Sequence, residues 1–122
     1  MPPSKLSIVE RRVDDVTILV LAGEMILDDG DLLYGRRIDE VLAAGHVKIL
    51  LDLADVTYID SSGVGMLAAT LKAARARQGD IRLLRVSSKG QRLLSLLRLK
   101  TLFEAFDDEA MALKSFQWRP TA

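Results

Sequence analysis

The sequence contains no cysteine. That excludes disulfides, thiolate chemistry and cysteine-based zinc sites. It contains one histidine, too few for a zinc site without further ligands. Charge of neither sign is in excess, because Lys+Arg and Asp+Glu both number 17. Nothing therefore marks nucleic acid or an anionic membrane as a main partner. Aromatic residues make up only 5% and apolar residues 49%, an ordinary globular balance. Long apolar runs are missing too: "VTILVLA", 16–22, falls far short of the roughly 20 residues that span a bilayer. The opening "MPPSKLSIVE" has no apolar h-region, so no signal peptide is expected. These absences point to a reduced, cytoplasmic compartment. No G-x-x-x-x-G-K-[ST] or G-x-G-x-x-G phosphate loop occurs.

What is present is a β/α alternation. Residues 6–13 and 16–22 read as two strands, joined at Asp14-Asp15 by a hairpin turn, with Gly23 as the end of the second. A helix is predicted from Asp31 to Ala44, with Tyr34, Ile38, Val41 and Leu42 on one face and Gly45 as its stop. "VKILLDL", 47–53, is a nearly continuous apolar run, as in a strand covered on both faces. The segment "ADVTYI" then leads to a helix from Ser61 to Arg77, burying Val64, Leu67, Ala68 and Leu71. "IRLLRV", 81–86, reads as a strand. Ser87 or Ser88 starts a helix reaching Leu99, and 107–116 forms a last helix with acidic residues at its start. The order β-β-α-β-α-β-α-α predicts one α/β domain across 1–122, ordered from about 5 to 117. Its sheet is mixed, mostly parallel, with 4–5 strands and about 4 helices.

The stretch "TYIDSSGVGM", 57–66, sets Asp-Ser-Ser-Gly between the apolar strand and the helix. Three uses of Ser61 or Ser62 compete. A hydrolase nucleophile needs a glycine two residues earlier, but Ile59 and Asp60 stand there. It also needs a base, and His46 lies before the strand while Ser61 follows it, roughly 20 Å away over seven residues. Alternatively, Asp60 or Ser61 is a plain helix cap. The third use is phosphorylation. A phosphate at a helix start meets free N–H groups and the positive dipole end, and works as a charge switch without unfolding anything. Side-chain chemistry leaves Ser61 and Ser62 equally eligible.

Ser62, Met66, Ala69, Thr70, Ala73 and Arg77 fall on the helix face opposite Val64, Leu67 and Leu71. That outer face is small and almost uncharged. It is either an Ala-rich surface or an interface, for a foreign partner or for a homodimer.

Two long stretches carry a family resemblance. "KILLDLADVTYIDSSGVGMLAATLKAAR" and "GDIRLLRVSSKGQRLLSLLRLKTLFEAFDDEAMAL" resemble a bacterial STAS domain of the anti-sigma factor antagonist type. The most specific part is the apolar strand followed by D-[ST]-S/T-G-[VLI]-G, matched at Asp60 to Gly65. The resemblance implies a non-enzymatic binding module with no cofactor and no metal. Its partner would be an anti-sigma factor serine kinase, whose binding releases a sigma factor. Phosphorylation at Ser61 would end that binding, and a PP2C-type phosphatase would restore it. Asp60, Ser61, Ser62, Gly63, Val64 and Met66 would form the centre of the partner surface, with Ala69 and Thr70 continuing it. Many antagonists carry G-[ED]-[LI]-D after the second strand, but Ile26 stands here where that Asp would be. Asp28 and Asp29 follow in "LDDGD" and are the nearest substitutes if strands 16–22 and 47–53 run parallel. The other implication is a non-switching STAS adaptor in a stress-signalling or lipid-transport complex.

The remaining polar clusters have simpler readings. "DDGD" lacks the spacing and distal Glu of a calcium loop and suits a turn or cap. Ser87-Ser88-Lys89-Gly90 reads as a helix start. Trp118 either covers a core edge or contacts another chain.

Overall fold

Residues 5–26 and 29–117 are described by the computed structural model, the side chains of 29–31 excepted. Asp28 and Trp118 therefore lie outside the described residues. The chain begins with the hairpin β1 (Leu6–Val13) and β2 (Val16–Met25). Val13 pairs with Val16 across the turn, where Asp14 takes the left-handed φ of 53° that Asp tolerates. α1 (Asp29–Ala43) crosses over to β3 (Lys48–Ile59), then α2 (Ser61–Ala76) to β4 (Asp80–Leu84). α3 (Ser88–Leu96), the two-residue β5 (Ala105–Phe106) and α4 (Glu109–Gln117) complete it. The expected mixed sheet is present, with five strands in the order β1-β2-β3-β4-β5. β1 is antiparallel to β2, and every other pairing is parallel.

Several boundaries differ from expectation. Gly23 does not end β2. The strand bulges there at φ +107° and continues to Met25, because Glu24 N–H bonds the Lys5 carbonyl. A Cβ at Gly23 would sit 1.9 Å from that carbonyl oxygen, so the bulge requires glycine. "ADVTYI" is not a connector but the second half of β3, paired with β2 alone. α3 stops at Leu96, three residues before the expected Leu99.

The sheet has two unequal faces. One is covered by α1, α2 and α3 and holds the larger core, with Leu19, Leu21, Met25, Tyr34, Ile49, Leu51, Val64 and Leu67. The other holds Val16, Ile18, Leu50 and Leu84 under Ala112 and Phe116 of α4. Burial of each large aliphatic side chain contributes about 1.5–3 kcal/mol. β2 and β3, buried on both faces along their first halves, accordingly read as nearly continuous apolar runs.

Candidate functional site at the start of the second inter-strand helix

Because β2 and β3 are parallel, Met25 pairs with Ile59 and their ends share one rim of the sheet. Asp29 opens α1, and Ser61 opens α2, at this same rim. The start of α2 is pressed onto the strand ends. A Cβ on Gly63 would lie 2.3 Å from the Met25 carbonyl oxygen and 3.0 Å from Ile59 Cγ1. Gly65 meets nothing within 4 Å, so only the first glycine serves close approach.

The three polar residues of this turn are not equivalent. Asp60 is the N-cap: its backbone is extended, and its Oδ1 accepts the Gly63 N–H at 3.0 Å. Ser62 Oγ donates to the same Oδ1 at 2.5 Å. The Ser62 hydroxyl is the largest cause holding the Asp60 carboxyl below the usual carboxylate range. Slight desolvation opposes it, and the Gly63 N–H reinforces it. Ser62 is half-buried, whereas Ser61 is exposed. Among the described residues nothing hydrogen-bonds the Ser61 hydroxyl. Ser61 is thus neither the cap nor part of its network.

His46 and Ser61 flank opposite ends of β3. Twelve strand residues at ~3.3 Å each separate them by roughly 40 Å, twice the spacing expected from the shorter strand. His46 therefore cannot act as base for Ser61. Beneath α2 lies an apolar void of only about 10 Å³, lined by residues including Ile59, Val64, Leu67 and Leu94, room for at most one water.

The outer face of α2 needs correction. Thr70 is buried at 6% exposure, and its Oγ1 lies 2.5 Å from the buried Tyr34 hydroxyl of α1. Thr70 also donates back within its own helix, to Met66 or Leu67 carbonyl at 3.0 Å. Burial raises the Tyr34 phenol well above its ordinary pKa, and the Thr70 contact opposes this only partly. Val64 and Gly63 are buried as well, so their side-chain positions face the core rather than a partner. Standing three residues after Leu67, Thr70 falls beside the buried stripe of Val64, Leu67 and Leu71 rather than opposite it, and α1 covers that flank. Ser61, Gly65 and Ala69 are exposed; Met66 is half-buried. Met66, Ala69 and Ala73 line a groove of about 480 Å³ whose other wall is Leu32, Gly35, Arg36 and Asp39 of α1. The α1 wall was missed in the sequence. Its available signal was Tyr34, a phenol on a core face that needed a partner on a neighbouring helix.

Residues 7–112 match the STAS domain family. A candidate anti-sigma factor antagonist of Thermotoga maritima is 36% identical over 101 residues, covering 81% of this chain and 89% of its own. The anti-sigma-B factor antagonist of Listeria monocytogenes is 31% identical over 103 residues, covering 81% and 85%. The solved structure of the anti-sigma factor antagonist SpoIIAA in its unphosphorylated form superposes with a TM-score of 0.78 over 94% of this chain and 100% of that one. The phosphorylated form of Bacillus SpoIIAA gives 0.72 over 89% and 98%. At 18% and 19% identity these two likenesses concern the fold.

Proposed function

The chain belongs to the STAS domain family, and on that footing we propose that it is an anti-sigma factor antagonist switched by phosphate on Ser61. Unphosphorylated, it binds an anti-sigma factor serine kinase and so releases a sigma factor. Phosphorylation of the Ser61 hydroxyl ends the binding, and a PP2C-type phosphatase reverses it. The carrying observation is the division of labour at the turn: Asp60 caps, Ser62 is engaged, and Ser61 is exposed with no partner among the described residues. This favours Ser61 over Ser62, a choice that side-chain chemistry alone left open. A phosphate there adds about −1.5 to −2 of charge beside an ionised Asp60, and the helix dipole lets the fold tolerate it. The kinase would meet the exposed ridge of Ser61, Gly65 and Ala69 together with Met66.

Peptide mass spectrometry on protein from its native cells tests the reading, together with capture of the co-purifying kinase. Phosphate on Ser61 is expected, with kinase retained by wild type and Ser61→Ala but lost by Ser61→Asp at unchanged melting temperature. Equal capture by wild type and Ser61→Asp would overturn the switch. The observation favouring a second reading is Ile26 in place of the family aspartate. A chain never phosphorylated under any growth or stress condition would be the non-switching adaptor.

A further inference from the structure

Leu32, Arg36, Asp39 and Ala43 are all exposed on α1. Their offsets are i, i+4, i+7 and i+11, a single straight stripe along one helix face. Leu32 is 65% exposed and stands at the N-terminal end of the stripe. Arg36 and Asp39 make no ion pair among the described residues, whereas the adjacent Arg37 reaches Glu10 at 3.7 Å and Glu40 at 4.0 Å.

The stripe is complementary to its own reverse. Turned end for end about its midpoint, it sets Arg36 against Asp39, Asp39 against Arg36, and Leu32 against Ala43 at each end. We propose that this stripe is a self-association surface on which a second copy packs its α1 antiparallel. One two-fold axis then makes both charge pairs at once, the isologous arrangement in which the same patch serves both copies. A parallel two-fold packing would instead set Arg36 on Arg36 and Asp39 on Asp39, so charge selects the antiparallel one. The groove beside the stripe, floored by Gly35, Ala69 and Ala73, gives the incoming long side chains room. Exposed ion pairs contribute little, so the dimer is weak and concentration-dependent. The inference needs no phosphate, and its groove shares Met66 and Ala69 with the ridge offered to the kinase.

Sedimentation equilibrium of the full chain, from micromolar to millimolar, reads it out. The wild-type mass should rise from 13.5 kDa toward twice that value. Arg36→Asp alone and Asp39→Arg alone should each weaken association by about tenfold or more, since both symmetric pairs become repulsive. The double variant, R36D with D39R, should recover it. An equimolar mixture of the two single variants should also associate, because each supplies what the other lacks. That mixture shows as well that neither reversal spoiled the fold. A monomeric wild type at every concentration, or association indifferent to the single reversals, would overturn the proposal.

Discussion

The Tyr34 hydroxyl lies 2.5 Å from Thr70 Oγ1, both groups buried, and this contact joins α1 to α2 through the core. The two partners are not equally replaceable. Tyr34→Phe leaves Thr70 still donating to a backbone carbonyl of its own helix. It should cost about 1 kcal/mol. Thr70→Val strands the phenol in the core and should cost more, about 1–3 kcal/mol. In the double variant Thr70→Val should be cheaper than in wild type. Urea denaturation of the four proteins in that cycle measures this. Equal costs for the two single variants would contradict the asymmetry.

Acid should weaken the fold through two carboxylates. Asp60 is held below its ordinary pKa chiefly by the Ser62 hydroxyl, and Glu109 chiefly by hydrogen bonding from Arg11. Arg11 Nη1 lies 3.2 Å from Glu109 Oε2, and Nη2 bonds the other oxygen. A depressed folded-state pKa contributes stability above the unfolded-state value, about 4 for these groups. It is lost as pH falls through the lower folded-state values. Asp60→Asn keeps a capping side chain, and Glu109→Gln removes the second titration. The variant carrying both should show a shallower loss of stability between about pH 5 and pH 2 than wild type. Unfolding free energies measured along that series decide it; parallel curves would assign the acid limb to other groups.

The two glycines of the site should separate folding from docking. Gly63→Ala drives a methyl group into the Met25 carbonyl and should destabilise by about 1–3 kcal/mol. Gly65→Ala points into open space and should be neutral or stabilising by up to about 1 kcal/mol, since alanine is the better helix former. Its methyl group nevertheless lands on the exposed ridge one turn from Ser61. Melting temperature and kinase capture, measured together, should show G63A failing in the first and G65A impaired only in the second.

Much of this architecture was legible because local signals agreed. "VKILLDL" is nearly continuous in apolar residues since β2 and β4 flank it and both its faces are covered. Gly45, at φ +89°, ends its helix as expected, and Ser87 caps α3 by accepting the Gly90 N–H at 3.0 Å. What escaped depended on partners distant in the chain. β5 is two residues long, too short for any period, and exists because Leu83 and Leu84 of β4 offer a free edge. The second half of β3 carries exposed Asp55, Thr57 and Tyr58 and so resembles a loop. It is a strand because β2 continues past its bulge to pair with it. At the site, the D-S-S-G motif was visible but its hydrogen bonding was not. Which residue caps α2 is decided by the extended backbone of Asp60, and only that conformation frees Ser61. Thr70 was misplaced for a different reason: position i+3 from Leu67 lies beside the buried stripe, so the helical period already set it toward α1 rather than toward the outer face.

The strands stand in the sheet in the order in which they are synthesised. A chain leaving the ribosome can therefore lay each strand against the one just completed, extending the sheet at one edge without inserting anything between earlier strands. The first hairpin needs only local contacts, which favours rapid formation. The second face has no such early cover. Val16, Ile18, Leu50 and Leu84 receive Ala112 and Phe116 only when α4 arrives. A nascent chain that has made four strands and three helices still shows water a bare apolar surface, which makes its last stage of synthesis the one most dependent on chaperones and most sensitive to premature termination.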